Sequence, residues 1–304
     1  MSSLSTCVSG RFAALRAWFT RHKAAGILLA VLLALALLIL ILHPHGKQTY
    51  LILGMDNYGS LEETGRSDVM MLVQIDFTRT KITAVTFARD MFVKPEGDGE
   101  KKINAVVRNN GVDALVSLME KEFGVKLDGW FRVNFTTVIQ LVDALGGAVV
   151  ELTEEEVNYI NRHAGRYPEY PLSEGPSRLC GGQALVYARC RQLDNDMGRG
   201  ERQNKLIEGM VQSTKSMGIS NLIAVFRSLK HAWHSSLSAG EQAVLLSRVL
   251  WLRGAQVEKL GLPFSGTWRY GNSSKGESGV IADLDANRTL LCEALGIRLP
   301  AESK

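Results

Sequence analysis

Acidic residues are missing from the first 47 positions, while Arg11, Arg16, Arg21 and Lys23 all precede a 19-residue stretch, Ala24 to Leu42, made only of Ala, Gly, Ile, Leu and Val. A helix of that length rises about 28 Å, close to the hydrocarbon thickness of a bilayer. The small-residue A-x-A pattern of a cleavage site is also missing: the run passes straight into His43, Pro44, His45, Gly46 and Lys47. The expectation is therefore an uncleaved anchor over residues 24–43, behind a short basic tail at 1–23. Flanking positive charge stays on the cytoplasmic side, which would place residues 48–304 outside the cell. A second long apolar run is lacking, so a single pass through the cell membrane is expected.

A basic excess is missing from the remainder. The whole chain has net charge +4, but five of its 35 Lys and Arg fall in the first 47 residues, leaving 30 against 31 Asp and Glu. The pI of 8.8 is thus set by the leader, and nucleic acid is not an expected partner. Cysteine is scarce. Cys7 lies in the leader, and Cys180, Cys190 and Cys292 form an odd set without a C-x-x-C or zinc spacing. They read as small packing residues, and a Cys180–Cys190 bridge is not favoured. Gly266 to Ser273 has the outline of a P-loop but carries Asn272 where the phosphate-binding lysine belongs. Neither G-x-S-x-G nor H-E-x-x-H occurs. His163, His231 and His234 have no metal-binding company, and Asp194 and Asp196 lack the rest of a calcium loop.

What is present is an alternation of strands and helices. Thr49 to Met55, Val69 to Ile75 and Lys81 to Phe87 are short apolar runs of strand length, the last two joined by a turn at Phe77 to Thr80. Near-continuous apolar strands point to a sheet covered on both faces. Val112, Leu115, Val116, Met119 and Phe123 recur at helical spacing up to Gly124. Val138, Ile139, Leu141, Val142 and Leu145 do so up to Gly146-Gly147. A strand follows at Ala148 to Leu152, then helices over Gly200–Met217, Ser220–His231, Ala239–Arg253 and Leu284–Leu295. The reading is one α/β layered domain, its central mixed sheet flanked by helices.

Charged residues gather at the strand ends. Asp56 follows the first strand, Arg66 and Asp68 precede the second, Arg89 and Asp90 end the third, and Lys102 and Asn104 come shortly after. A second group, Tyr187 to Gln203, offers Arg189, Arg191, Arg199 and Arg202 with Asp194 and Asp196 between. Ligands of open α/β sheets bind outside strand ends. Guanidinium is the best bidentate partner of phosphate oxygens and stays charged at any working pH. Surface ion pairs worth about 0–1 kcal/mol are the bland alternative for any one Arg-Asp dipeptide. Their concentration directly after apolar strands favours a site.

GMD, GRSD, the ARD strand end, KIN, the V-N-F-x-x-V-I-x-L-V-D-A-L-G-G stretch and G-x-Q-A-L-x-Y-A-R-x-R followed by D-x-D-x-G-R-x-x-R-Q together resemble LytR-CpsA-Psr proteins. The ordered set, from about Thr49 to Met217, is specific where no single dipeptide is. The resemblance implies the fold of that family and transfer of a glycopolymer from a polyprenyl-pyrophosphate lipid to peptidoglycan. It implies that Asp56 and Asp68 coordinate Mg²⁺ and that Arg66, Arg89, Arg189 and Arg191 hold the phosphates. Arg199, Arg202 and Gln203 complete the cluster, Lys102 and Asn104 bind substrate, and Asp90 orients Arg89 or takes the acceptor proton. Cys190 stands where the family often has an aromatic or aliphatic residue, an exchange that leaves the arginine spacing intact. The resemblance also raises the helices bearing Leu115, Met119, Val138, Ile139 and Val142 as the lining of an isoprenoid slot. A tethered binder of lipid-linked precursors and a pyrophosphate hydrolase are the competing readings.

The orientation is open to direct measurement: protease added to intact protoplasts should digest the domain after residue 47. Protection of that domain would reverse the topology.

Overall fold

The apolar runs become the middle of a six-stranded sheet. A computed structural model describes residue 32 and residues 44–55, 67–165, 167–190, 192–193, 196–229, 232–252 and 254–299. The chain divides at His45/Gly46 into two units, and the second, Gly46–Lys304, contains the whole sheet. The expected span at 24–43 lies, except for residue 32, outside the described residues. Among the described residues no helix is long and apolar enough to cross a membrane.

Strand β1 (Lys47–Met55) is hydrogen-bonded to antiparallel β2 (Ser67–Asp76) on one side and to parallel β6 (Gly129–Val133) on the other. Beyond β2 come antiparallel β3 (Lys81–Phe87) and β10 (Gln256–Leu262), the latter parallel to β3. The far edge is the two-residue β9 (His234–Ser235), antiparallel to β6. The sheet is therefore mixed, as expected. β6 and β10 were not anticipated. Glu258 and Lys259 interrupt β10 because it is an edge strand, and Arg132 interrupts β6.

Period-two alternation assigns each strand two faces. Leu51, Leu53 and Met55 of β1 join Met70, Leu72, Val85 and Phe87 in the main core. Helix α1 (Ile103–Phe123) covers that face with Val106, Leu115, Met119 and Phe123, and Phe123 meets Phe87 edge-on at 5.3 Å. Helix α1 starts nine residues before Val112 and bends at Gly111, whose φ of 82° breaks the helical path. Tyr50, Ile75 and Phe77 emerge on the opposite face and pack against Leu252 and Ala255, beyond helix α7 (Ala239–Val249) and the 3-10 turn Leu250–Leu252. Both faces are thus covered.

A second cluster forms beside the sheet. Strands β7 (Ala148–Leu152) and β8 (Gly175–Leu179) pair antiparallel, and around them lie α2 (Phe135–Ala144), α3 (Glu154–His163), α4 (Gly181–Arg189) and α5 (Asp196–Ser216). Val142, Val150, Ile160, Leu179, Tyr187 and Leu206 are buried together there. Leu115 and Met119 therefore serve one core, and Val138 and Val142 another. Helix α4 sits so tightly on α2 that a Cβ on Gly181 would collide with the Ile139 carbonyl, while the Gly181 N–H donates to Asp143 Oδ1 at 2.7 Å. Helix α6 (Ile219–Ser228), the hairpin β11 (Trp268–Asn272) and β12 (Ser278–Ala282), and α8 (Leu284–Leu295) complete the domain, with the short pair β4 (Phe92–Val93) and β5 (Lys101–Lys102) between β3 and α1. The described cysteines, Cys180, Cys190 and Cys292, are buried free thiols.

Candidate phosphate-binding site

Strand direction brings the charged segments to one edge. Strands β1, β3, β6 and β10 all point the same way and β2 runs against them. The ends of the first four and the start of β2 therefore share an edge. Gly54 pairs with both Val69 and Val133, and Leu262 pairs with Phe87. Asp56, Arg66, Arg191 and Asp194 lie outside the described residues. The backbone of Asp68 belongs to β2 at an irregularity: Gly54 faces Val69 but Met55 faces Ser67, so Asp68 is the extra residue.

The segment after β3 is stitched on both sides. Ala88 N–H donates to the Leu262 carbonyl at 2.7 Å, Asn104 N–H to the Arg89 carbonyl at 3.2 Å, and Val280 N–H to the Asp90 carbonyl at 3.0 Å. Phe92 pairs with Lys102, which draws Lys102 to the Asp90 carboxylate. Lys102 Nζ stands 3.4 Å from one Asp90 oxygen, and Arg89 Nε stands 3.6 Å from the other. Arg89, Asp90 and Lys102 are all half-buried, and Asn104 is buried at the start of α1. These four expected residues are thus brought together.

The second expected group is built on the end of α4. The Arg189 guanidinium lies 4.2 Å from the centre of the Phe135 ring, a cation–π arrangement. Phe135 is two residues beyond Val133 at the same sheet edge. Arg202 and Gln203, on α5, turn back to the carbonyls that close α4: Arg202 Nη2 donates to the Cys190 carbonyl at 2.8 Å, and Gln203 Nε2 to that of Ala188 at 3.4 Å. Arg202 is 3 % exposed, with Nη1 3.8 Å from Glu156 Oε1. The other Glu156 oxygen accepts from Thr153 N–H at 3.0 Å in the cap of α3. Arg199 is also buried. Arg202 and Gln203 therefore position the helix end that carries Arg189.

Sequence reasoning missed Phe135, Glu156 and Tyr159. The Thr153-x-x-Glu156 pattern is a capping-box signature and could have revealed Glu156; Phe135 lies within the V-N-F stretch but carried no assigned role, and nothing local marked Tyr159. Burial pushes the Tyr159 phenol pKa up, reinforced by the Cys190 thiol to which it is hydrogen-bonded, while the Arg202 and Arg189 charges draw it down. The net direction is up, so Tyr159 is a neutral hydroxyl beside the arginines. Burial lowers the Arg132 pKa on β6, where its guanidinium lies 5.7 Å from the Trp130 ring. Among the described residues there is no group of three or more His, Cys, Asp and Glu able to hold a metal ion.

Guanidinium, ammonium and carboxylate groups gathered at one edge of a mixed α/β sheet are the groups that phosphate oxygens pair with best. The chain belongs to the LytR_cpsA_psr family, whose model matches residues 35–284. It is 27% identical over 251 residues to a polyisoprenyl-teichoic acid–peptidoglycan teichoic acid transferase, TagU, of Oceanobacillus iheyensis, covering 78% of this chain and 72% of that one. Against the TagU of Enterococcus faecalis, identity is 31% over 194 residues, with 62% of this chain and 61% of that one covered. The fold is that of TagT bound to LIIa-WTA, with TM-score 0.67 at 23% identity, covering 83% of this chain and 91% of that one.

The bracing role of Arg202 predicts a structural cost. Arg202→Met should lower stability by about 2 kcal/mol, because a buried carboxylate and a helix-terminal carbonyl lose a charged donor. Urea unfolding would read this, and an unchanged midpoint would assign Arg202 elsewhere.

Proposed function

We propose that the chain is a membrane-tethered phosphotransferase that moves a glycopolymer from a polyprenyl-pyrophosphate carrier to peptidoglycan on the outer side of the cell membrane. The observation that carries this reading is the single sheet edge at which Arg89, Lys102 and the Arg189 helix end converge. Family membership supplies the substrate class: the relatives in Oceanobacillus iheyensis and Enterococcus faecalis are named as transferases that attach teichoic acid to peptidoglycan. Another similar structure, at 22% identity and TM-score 0.62, is a family member with bound octaprenyl pyrophosphate lipid.

In this reading Arg66, Arg89, Arg189 and Arg191 bind the pyrophosphate, while Asp90 orients Arg89. Lys102 and Asn104 close the site from the start of α1, and Arg199, Arg202 and Gln203 hold the helix ends in place. The acceptor hydroxyl oxygen forms the new bond to the sugar-bearing phosphorus. The bond to the lipid-bearing phosphate breaks, the hydroxyl proton is released, and the lipid departs as its monophosphate. Charge spreads over the phosphoryl oxygens as that bond breaks. Guanidinium groups fixed beforehand stabilise it without reorganisation. Asp56 and Asp68 would hold Mg²⁺. The fit rests on the donor chemistry, two carboxylates next in sequence to Met55 and Ser67, and on the preference of that ion for oxygen donors. When bound, the ion neutralises pyrophosphate charge. The basic tail and the apolar run at 24–43 would tether the domain to the membrane that contains the carrier lipid.

Reconstituted protein, given Mg²⁺, a lipid-pyrophosphate saccharide and peptidoglycan fragments, should form a sugar–phosphate–glycan linkage and release lipid monophosphate. Arg189→Ala should slow that step by roughly a hundredfold while weakening lipid binding far less, since only interactions that strengthen in the transition state accelerate chemistry. Binding without product marks a sensor, and free sugar phosphate marks a hydrolase.

Asp68→Ala should abolish metal-dependent transfer and leave the thermal midpoint unchanged. Full activity with the same Mg²⁺ dependence would make the carboxylate structural.

A further inference from the structure

The β11–β12 hairpin has no part in the phosphate site, yet it is joined directly to it. Val280 N–H donates to the Asp90 carbonyl at 3.0 Å, and Met91 bridges Val280. Its tip is also fixed: Ser274 N–H donates to Glu100 Oε2 at 2.8 Å. Gly279 approaches Asp90 so closely that a Cβ would lie 2.6 Å from its carbonyl oxygen. On this doubly tied element Tyr270 is 73% exposed. Trp268, two residues back and so on the same face, meets it edge-on with ring centroids 5.1 Å apart and planes at 87°. Trp268 is half-buried and packs against the main core.

We propose that the Trp268–Tyr270 face is the platform on which the sugar rings of the acceptor glycan dock. The inference rests on the transferase reading, which requires a second saccharide to meet the first at the phosphates. A braced aromatic ring presents a negative face, and the C–H-lined face of a pyranose presents weak positive charge to it. Asn272 and Ser278, paired across the hairpin and exposed on the same side as Tyr270, supply the donors and acceptors that a ring of hydroxyls needs. A ring pair edged by amide and hydroxyl groups matches an amphipathic sugar better than a lipid surface, which would favour a wider apolar patch.

The platform lies on the Asp90 flank of the edge, away from Arg189. Tyr270 pairs with Val280, which adjoins Asp90, so the platform backbone is two strand spacings from Asp90, roughly 10 Å. Arg189 approaches the same edge from the β6 side, whereas the hairpin adjoins the segment that leaves β3. Along the order β3-β2-β1-β6 the two stand on opposite sides of the strand ends. A chain laid over Tyr270 reaches Asp90 before it reaches Arg189.

The test uses the full-length protein in nanodiscs and soluble, uncrosslinked peptidoglycan glycan strands, with binding measured by calorimetry. Wild type should bind the strands. Tyr270→Ala should weaken that binding about fivefold, the worth of one aromatic contact, and Tyr270→Trp should restore it. Binding of a polyprenyl-pyrophosphate probe should not change in either variant. In the transfer assay Tyr270→Ala should raise the acceptor KM and leave kcat and the donor KM alone. Absence of strand binding by wild type, equal binding by Tyr270→Ala, or a loss confined to the donor would each overturn the platform. Strand binding that depends on Tyr270 without any product would sustain the platform and sink the transferase reading.

Discussion

The structure depends on the two unlike neighbours of β1. An antiparallel partner on one side and a parallel partner on the other put the end of β1 beside the start of β2 and the end of β6. β3 and β10, parallel to β1, add their ends to the same edge. Had β6 run antiparallel, Phe135 and α2 would have begun at the opposite edge, and Arg189 with them. The bulge at Asp68 follows from the same pairing: β2 must lose one residue of register where it meets Met55. Direction and register, set by apolar strands, therefore fix which charges meet.

Positive charge gathered in this way repels itself, and the fold answers partly with dipoles. Helix α4 ends at Arg189, and its last carbonyls are the negative pole of the helix. Arg202 and Gln203 bond to those carbonyls, and Arg189 rests on the electron-rich face of Phe135. A carbonyl or a ring face steadies a guanidinium without cancelling its charge, which stays available to an anion. Glu156, in the cap of α3, faces Arg202 with one oxygen and accepts from Thr153 N–H with the other. Asp90 works differently, since Arg89 and Lys102 share it. One carboxylate between two cations keeps both in place and leaves the group net positive.

How much of this was legible in the sequence follows from the range of each signal. β1, β2 and β3 were readable because they are buried on both faces and so are continuously apolar. β10 was not, because an edge strand tolerates Glu258 and Lys259. The Gly146-Gly147 stop was readable, since both residues adopt positive φ and only glycine does so freely. The start of α1 at Ile103 was hidden by Gly111, which breaks the apolar period. For the site, Arg89, Asp90, Lys102 and Asn104 stood out as charges after a strand, and they do meet. Arg202 and Gln203 were legible as residues but not in what they touch. Their partners are main-chain carbonyls, and no side-chain pattern encodes a carbonyl. The platform at Tyr270 was hidden in an abortive P-loop pattern, where the glycines are the conspicuous signal and the aromatics between them carry the chemistry.

Phosphoryl transfer asks for the attacking and departing oxygens to lie roughly in line. An edge formed by strand ends is itself a line, with a fixed spacing of about 4.8 Å per strand. From β6 to β3 the edge carries, in order, the Arg189 helix end, the β1 and β2 ends with Asp68, and the Arg89–Asp90 segment with its hairpin. Arginines at both ends and the Asp68 position between them would suit the proposed pyrophosphate laid along the edge better than one pointing into the sheet. In that orientation the two faces of the reacting phosphorus look toward opposite ends of the row. In the proposed transfer the lipid phosphate would leave toward one flank and the acceptor enter from the other, along the row of charges that the strand order assembles.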